Sequence, residues 1–170
     1  MSITIRPWLA WTSMALLGMV LVLKGCGGGG DSDPDEPVTV DPTLSSLWEA
    51  QFNSCGLVCH NPNDVGNGTA PGPDLRTQQS FFDQLVNRTV NTDFPDWVKI
   101  GTCNDIPFVT PEDSVRSTLA ASLIVELNDQ LKILENCDSS WFFHDQNNIT
   151  LSQEVEDALV QWIESGAPNN

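Results

Sequence analysis

Apolar residues recur at helical spacing in four stretches between Thr43 and the end of the chain, and no stretch shows sustained alternation of apolar and polar positions. This pattern predicts a mainly α fold with long loops. The predicted helices begin near Thr43, Gln78, Thr110 and Thr150. Three of their apolar faces are well defined and carry Leu44, Leu47, Trp48 and Phe52, then Phe81, Phe82, Leu85 and Val86, and last Val155, Leu159, Trp162 and Ile163.

The ends of these helices follow from local start and stop signals. The second is expected to end at about Asn87, and the third to run from Thr110, with a break, to Leu134. Proline in the first turn and two acidic residues after it favour that third start. Thr150-Leu-Ser-Gln153 is a capping-box pattern, and Gly166 is expected to end the last helix. The segments predicted as loops are Asn61–Asp74 and Val90–Phe108.

The N-terminus is a different kind of segment. An apolar run from Pro7 to Leu23 follows a base at Arg6, which is the anatomy of an export signal. The run ends in Leu23-Lys24-Gly25-Cys26, which resembles the lipobox of bacterial lipoproteins with Cys26 as the lipidated residue, although Lys24 departs from the small or apolar residue usual there. Residues 1–25 are therefore predicted to be a lipoprotein signal peptide. An uncleaved membrane anchor and a plain secreted protein are the alternatives.

The stretch after the lipobox contains nothing to bury. Four glycines follow Cys26, and an acidic, proline-broken segment follows them. Residues 26–42 are predicted to be a flexible tether, and residues 43–170 to be the folded domain. A glycine rather than an aspartate after Cys26 favours the outer membrane, so we expect a lipoprotein of the cell envelope that faces the periplasm or the cell surface. Export also places the other cysteines in an oxidising compartment.

The charge of the chain excludes some partners. Of its 170 residues, 23 are acidic and 7 are basic, which gives a formal net charge of −16. Nucleic acids and anionic membrane surfaces require clustered Lys and Arg. We therefore expect no nucleic acid partner and membrane attachment only through the lipid. The acidic excess fits a basic protein partner or simple solubility.

The most informative local string is Cys55-Gly-Leu-Val-Cys59-His60. Covalent haem attachment needs two thiols that add to the vinyl groups and an imidazole beside the second thiol that binds the iron. The usual spacing is C-x-x-C-H, and the C-x-x-x-C-H found here is a rarer variant. The alternative is a local disulfide between Cys55 and Cys59, with His60 as an ordinary surface residue.

Further short strings follow in order. They are Gly72-Pro73-Asp74-Leu75, Val109-Thr-Pro111 and Trp162-Ile163-Glu-Ser-Gly166-Ala-Pro168. Together with Cys55–His60 they resemble the class I cytochrome c domains of bacterial lipoproteins, over roughly Leu44 to Ala167. The resemblance implies a cytochrome c-like helical domain with one covalent haem c per chain.

This resemblance assigns roles to individual residues. The Pro73 carbonyl would accept the proton-bearing nitrogen of His60, and Leu75 would pack on the haem. The first and last helices would cross and bring Trp48 and Trp162 towards each other.

The chain departs from the family on the distal side of the iron. Such cytochromes usually supply a methionine from a loop before the last helix, but all three methionines of this chain lie in the predicted signal. Cys137-Asp-Ser-Ser-Trp-Phe-Phe-His144 occupies that place. His144 is therefore the best distal candidate, which would lower the reduction potential relative to a His/Met site. An iron with an open or weakly held sixth position is the alternative.

Two cysteines remain, Cys103 and Cys137, an even number once Cys26 is set aside. A disulfide between them is the simplest assignment. It would close a loop of about 34 residues and add about 3 to 4 kcal/mol of stability on the chain-entropy model. A metal site built from these two thiols and His144 is a weaker alternative, since no C-x-x-C pair supports it.

The sequence thus predicts a lipid-anchored monohaem cytochrome that passes single electrons to and from a redox protein in the periplasm or at the cell surface. No Ser-His-Asp order, phosphate-binding glycine loop or paired-acid motif indicates an enzyme. Two other classes remain open. One is a haem-less surface lipoprotein that uses the fold as an interaction or assembly module, and the other is a sensor with five-coordinate haem.

Overall fold

The computed structural model of the chain describes residues 39–58, 60–61, 72–97, 101–139, 144 and 149–170. About half of these residues lie in helices, and none of them lies in a β-strand. The prediction of a mainly α fold is confirmed. The predicted signal peptide 1–25, the lipidated Cys26 and most of the tether 26–42 lie outside the described residues. No helix in the described part of the chain is both long and apolar enough to cross a membrane.

The first helical stretch is continuous but changes its hydrogen-bond pattern along its length. It consists of α1 (Leu44–Leu47), a π-helical segment (Trp48–Phe52) and α2 (Asn53–Val58). Thr43 caps it as predicted, because its hydroxyl accepts a hydrogen bond from the Ser46 N–H at 3.2 Å. No local pattern predicts the π-helical segment. The side chains of this stretch that are buried in the core are Leu44, Leu47 and Phe52.

Two shorter helices follow, α3 (Gln78–Leu85) and α4 (Val90–Asp93). α3 ends two residues before the predicted end because Val86 is extended and forms an isolated parallel bridge with Val109. α4 lies in the segment predicted as the second loop. The Thr89 side chain caps α4 by accepting the Thr92 N–H.

The third predicted helix begins later than expected. The structure has α5 (Thr118–Leu123) and α6 (Val125–Glu135), with one extended residue between them that supplies the predicted break. The predicted start at Thr110 is wrong. Glu112 takes a left-handed backbone conformation (φ 67°), and its N–H donates to the Ile163 carbonyl at 2.8 Å. Because a residue with a positive φ cannot form part of a right-handed helical turn, the segment after Thr110 forms turns instead of a first helical turn.

The last helix, α7, spans Gln153–Glu164. Its cap is Ser152, whose hydroxyl accepts the Val155 N–H at 3.4 Å, so the predicted start at Thr150 is wrong by two residues. The predicted stop is confirmed. Gly166 has a φ of 97°, and the N–H groups of this glycine and the next residue donate back into the last turn in a Schellman arrangement. The four apolar residues predicted on one face, Val155, Leu159, Trp162 and Ile163, are all buried.

The core joins the first helical stretch, α3 and α7. The Phe81 ring lies between two indoles, with ring centroids 6.1 Å from Trp48 and 6.5 Å from Trp162. The start of α1 also contacts the end of the chain, since the Leu44 N–H donates to the Asn170 side chain at 3.0 Å. Trp48 and Trp162 are therefore both neighbours of Phe81 in the core.

Candidate functional site

His60 is held by the backbone of two segments. Its N–H donates to the Cys55 carbonyl at 2.9 Å, and its carbonyl accepts the Leu75 N–H at 3.0 Å. The first bond ties the histidine to α2, and the second ties it to the Pro73–Leu75 segment. The sequence strings Cys55–His60 and Gly72–Leu75, which are separated along the chain, therefore meet at this residue.

The same two segments touch at a glycine. Gly56 is buried in α2, and a Cβ atom built on it would lie 1.9 Å from the Leu75 carbonyl oxygen and 2.7 Å from the Arg76 Cα. No side chain fits in that space without displacing backbone. Gly56 therefore allows α2 to lie directly against the chain that follows Pro73.

His60 and His144 line the same cavity. The cavity has about 650 Å³ of space free of protein atoms, with its open mouth included. The polar side chains in its wall include Ser122, Asp138 and Ser139. The apolar side chains in its wall are Leu75, Leu85, Val90, Trp97, Phe108 and Leu119.

Burial makes His60 a weak base in this cavity. Desolvation lowers the pKa of His60 from 6.5 to about 4, the nearby His144 lowers it further, and the Pro73 carbonyl opposes both by favouring a protonated ring. The Nδ1 atom is buried and has no hydrogen-bond partner of good geometry among the described residues. The Trp97 ring meets His60 edge-on with 6.0 Å between the centroids. At neutral pH the imidazole is neutral, the form that can bind a metal.

His144 has a parallel environment. Burial lowers the pKa of His144, and the Ser122 carbonyl partly opposes this shift. Its own carbonyl accepts the Ile149 N–H at 3.1 Å. For each histidine, a backbone carbonyl thus offsets part of the lowering of the pKa. This carbonyl belongs to Pro73 for His60 and to Ser122 for His144.

The predicted disulfide is confirmed. Cys103 and Cys137 are bonded, with 5.1 Å between their Cα atoms. Cys103 is buried and belongs to the cavity wall. Because both thiols are used in this bond, the alternative of a metal site built from them with His144 is excluded in the oxidised chain.

The structure brings together most of the site residues that the sequence predicted. His60, Pro73, Leu75 and His144 all line the cavity. Cys55 is half-buried on α2 and packs against the core, but it is not among the lining residues. Cys59 and the aromatic residues 141–143 lie outside the described residues.

Sequence reasoning missed part of the cavity wall. Trp97 and Phe108 lie in or at the end of a predicted loop, and Ser122 carried no signal. Trp97, Phe94 and Phe108 pack on one another with centroids 5.9 to 6.5 Å apart. Three aromatic residues in a stretch predicted as a loop were the available signal, because such residues seldom remain unpacked.

Comparison with known proteins finds no family model, no curated protein and no solved structure that matches the chain. The function therefore has to be inferred from the residues described above.

Proposed function

We propose that this protein is a lipid-anchored, monohaem c-type cytochrome-like electron carrier of the bacterial cell envelope. The observation that carries the proposal is that the chain's two histidines, His60 and His144, line one apolar-walled cavity. They come from distant parts of the sequence, and His60 belongs to the string that predicts haem attachment. A haem held there would supply a one-electron iron couple.

The residues present fit such a group. Haem iron accepts imidazole nitrogens, and metal-binding histidines usually have the second ring nitrogen oriented by a backbone carbonyl or a carboxylate. The carbonyls of Pro73 and Ser122 are placed to act in this way on His60 and His144.

Each part of the chain would have a defined task. Cys55 and Cys59 would form the thioether bonds, His60 would bind the iron on the proximal side, and His144 would bind it on the distal side. Leu75, Phe108 and the other apolar residues of the wall would exclude water. A protein whose signal is removed has no methionine to offer, so the account excludes a His/Met pair and favours a lower potential.

The location of the carrier depends on Cys26 and the tether. A lipid on Cys26 would hold the domain at the outer membrane, and residues 26–42 would let it reach a redox protein in the periplasm or at the cell surface. The acidic surplus would favour a basic partner. Replacing residues 1–25 by a signal that is cleaved without lipidation, together with Cys26→Ser, is expected to release the protein from the membrane fraction without changing its haem content.

The proposal is tested by producing the full chain, with its own signal, in a bacterium that matures c-type cytochromes. A pyridine haemochrome spectrum is recorded after denaturation and extraction of free haem. We expect a c-type spectrum with one haem per chain. The double variant Cys55→Ala/Cys59→Ala should lose covalent haem, whereas the neighbouring control Ser54→Ala should keep it.

One structural observation favours the second candidate, a haem-less interaction or assembly module. Cys55 is not in the cavity wall, and three residues rather than two separate it from Cys59. A folded, colourless protein with a Cys55–Cys59 disulfide, from a host shown to mature this spacing on another protein, would establish that module and exclude the electron carrier.

A further inference from the structure

We propose that the Cys103–Cys137 disulfide positions His144 on the cavity and so determines whether this imidazole binds the iron. The inference rests on the proposed function, because it concerns the sixth ligand of a bound haem. It makes the disulfide a positioning element for the site rather than only a brace for the fold.

The first observation is a group of three hydrogen bonds between Thr102, Cys103 and Asp138, beside the disulfide. We call this group the 102/138 clasp. The N–H groups of Thr102 and Cys103 both donate to the Asp138 carbonyl, at 2.8 and 3.3 Å. The Asp138 N–H donates in return to the Thr102 hydroxyl at 2.9 Å. The disulfide and the clasp together hold the segment 137–139 against the segment 101–104.

The second evidence is that these joined segments form one part of the cavity wall. Gly101, Cys103 and Asn104 line the cavity from one segment, and Asp138 and Ser139 line it from the other. His144 follows Ser139 by five positions and lines the same cavity. The place at which the chain leaves towards His144 is therefore fixed by the disulfide.

The third evidence is the rigid support behind the disulfide. Cys103 packs in a small buried cluster with Ala121 of α5 and Leu131 of α6, and Cys137 packs against that cluster. Ser139 is also buried and donates to the Asn128 side chain of α6 at 3.0 Å. The support thus consists of α5, whose residues Thr118, Leu119 and Ser122 line the cavity, and of α6, which packs against α5.

The support also contains the carbonyl that acts on His144. Ser122 is adjacent to Ala121 in α5, and its carbonyl favours the protonated ring of His144. Reduction of the disulfide would leave individual polar contacts to hold this segment, among them the 102/138 clasp, the Ser139 bond and the half-exposed ion pair between Lys132 and Asp138 (3.3 Å). Individual hydrogen bonds contribute little net stability when water can replace them. His144 would then spend less time at the iron.

The test compares the full-length, haem-loaded wild type with Cys103→Ser/Cys137→Ser. We expect the ferric absorption spectrum to shift from low spin towards high spin. The affinity for added cyanide should rise about tenfold or more, because cyanide no longer competes with a fully positioned His144. Ser152→Ala, which removes the α7 cap outside the cavity wall, is the control for general destabilisation and should change neither quantity.

A double-mutant cycle separates positioning from a merely structural role. In a His144→Ala background, loss of the disulfide should change the cyanide affinity little further, since the residue that it positions is already absent. An equal effect of disulfide loss with and without His144 would overturn the proposal. So would an unchanged spectrum in Cys103→Ser/Cys137→Ser.

A second route covers the case in which the double variant does not fold. The haem-loaded wild-type protein is treated with a phosphine to reduce the disulfide. The phosphine gives two electrons to the disulfide, which becomes two thiols, and takes an oxygen atom from water to form the phosphine oxide. The thiols are alkylated, and ferricyanide then reoxidises the iron. We expect the same shift to high spin with the helical circular dichroism retained, whereas loss of the helical signal would make the disulfide purely structural and overturn the proposal.

The haem content of the wild type is measured before either experiment. A wild type without haem contradicts the proposed function itself. A loaded wild type whose distal ligand ignores the disulfide contradicts only the present inference.

Discussion

Gly56 lies so close to the backbone of Leu75 that a Cβ atom on it would stand 1.9 Å from the Leu75 carbonyl oxygen. The contact joins the segment that carries Cys55 and His60 to the segment that carries Pro73. Packing of these two segments is a precondition for the cavity, since His60, Pro73 and Leu75 all line it.

We expect Gly56→Ala to be strongly destabilising, because the added methyl group meets backbone rather than a flexible side chain. A loss of about 3 kcal/mol or more in the free energy of unfolding is the expected size. Urea denaturation followed by circular dichroism measures it, and the haem content of the same preparation should fall.

The matched control is Gly166→Ala. Nothing lies within 4 Å of a Cβ atom at Gly166, but the residue has a φ of 97°, so the substitution should cost only about 1 kcal/mol from backbone strain. Equal losses from the two variants would show that the Gly56 contact has no special importance.

The aromatic core gives a second stability prediction. The Phe81 side chain is fully buried and its ring contacts Trp48, Phe52 and Trp162, whereas Phe82 is only half-buried. Phe81→Ala should lower the free energy of unfolding by about 3 to 5 kcal/mol. Phe82→Ala should cost clearly less, and urea denaturation of the two variants side by side checks the order.

The haem-free chain should lose stability as the solution becomes acidic. The pKa of His60 is lowered to about 4 in the folded chain from 6.5. Between these two values the unfolded chain binds a proton that the folded chain does not, so stability falls as the pH is lowered from about 6.5 to about 4 and changes little for this group above 6.5. The loss should be about 2 to 3 kcal/mol.

Urea denaturation of haem-free protein at several pH values measures this dependence. Because carboxylates also titrate near the lower end of the range, His60→Gln serves as the control and should show a shallower slope between pH 6.5 and 5. A wild-type slope no steeper than that of His60→Gln would mean that His60 is not buried as a neutral base.

The helices and the disulfide were largely accessible from the sequence because their signals are local. The apolar face of α7 and its stop at Gly166 follow from spacing and from one glycine. The Cys103–Cys137 pairing follows from counting cysteines in an exported chain. These features depend on few contacts with the rest of the fold.

The errors arose where tertiary contacts overrode local signals. The helix predicted at Thr110 is absent because Glu112 takes a left-handed backbone conformation, in which its N–H donates to the Ile163 carbonyl of α7. Trp97 and Ser122 line the cavity although no sequence pattern predicts it, because their positions depend on how distant segments pack. The sequence predicts both His60 and His144 as iron ligands, but only the fold brings them to one cavity.

We propose that His60 and His144 bind one haem iron, and the electron paramagnetic resonance spectrum of the ferric protein reports which ligands the iron has. The full-length wild type should give a low-spin signal typical of two imidazole ligands, and His144→Ala should give a high-spin signal at unchanged covalent haem content. A wild type that carries no haem, or a low-spin signal that survives His144→Ala unchanged, would contradict the claim.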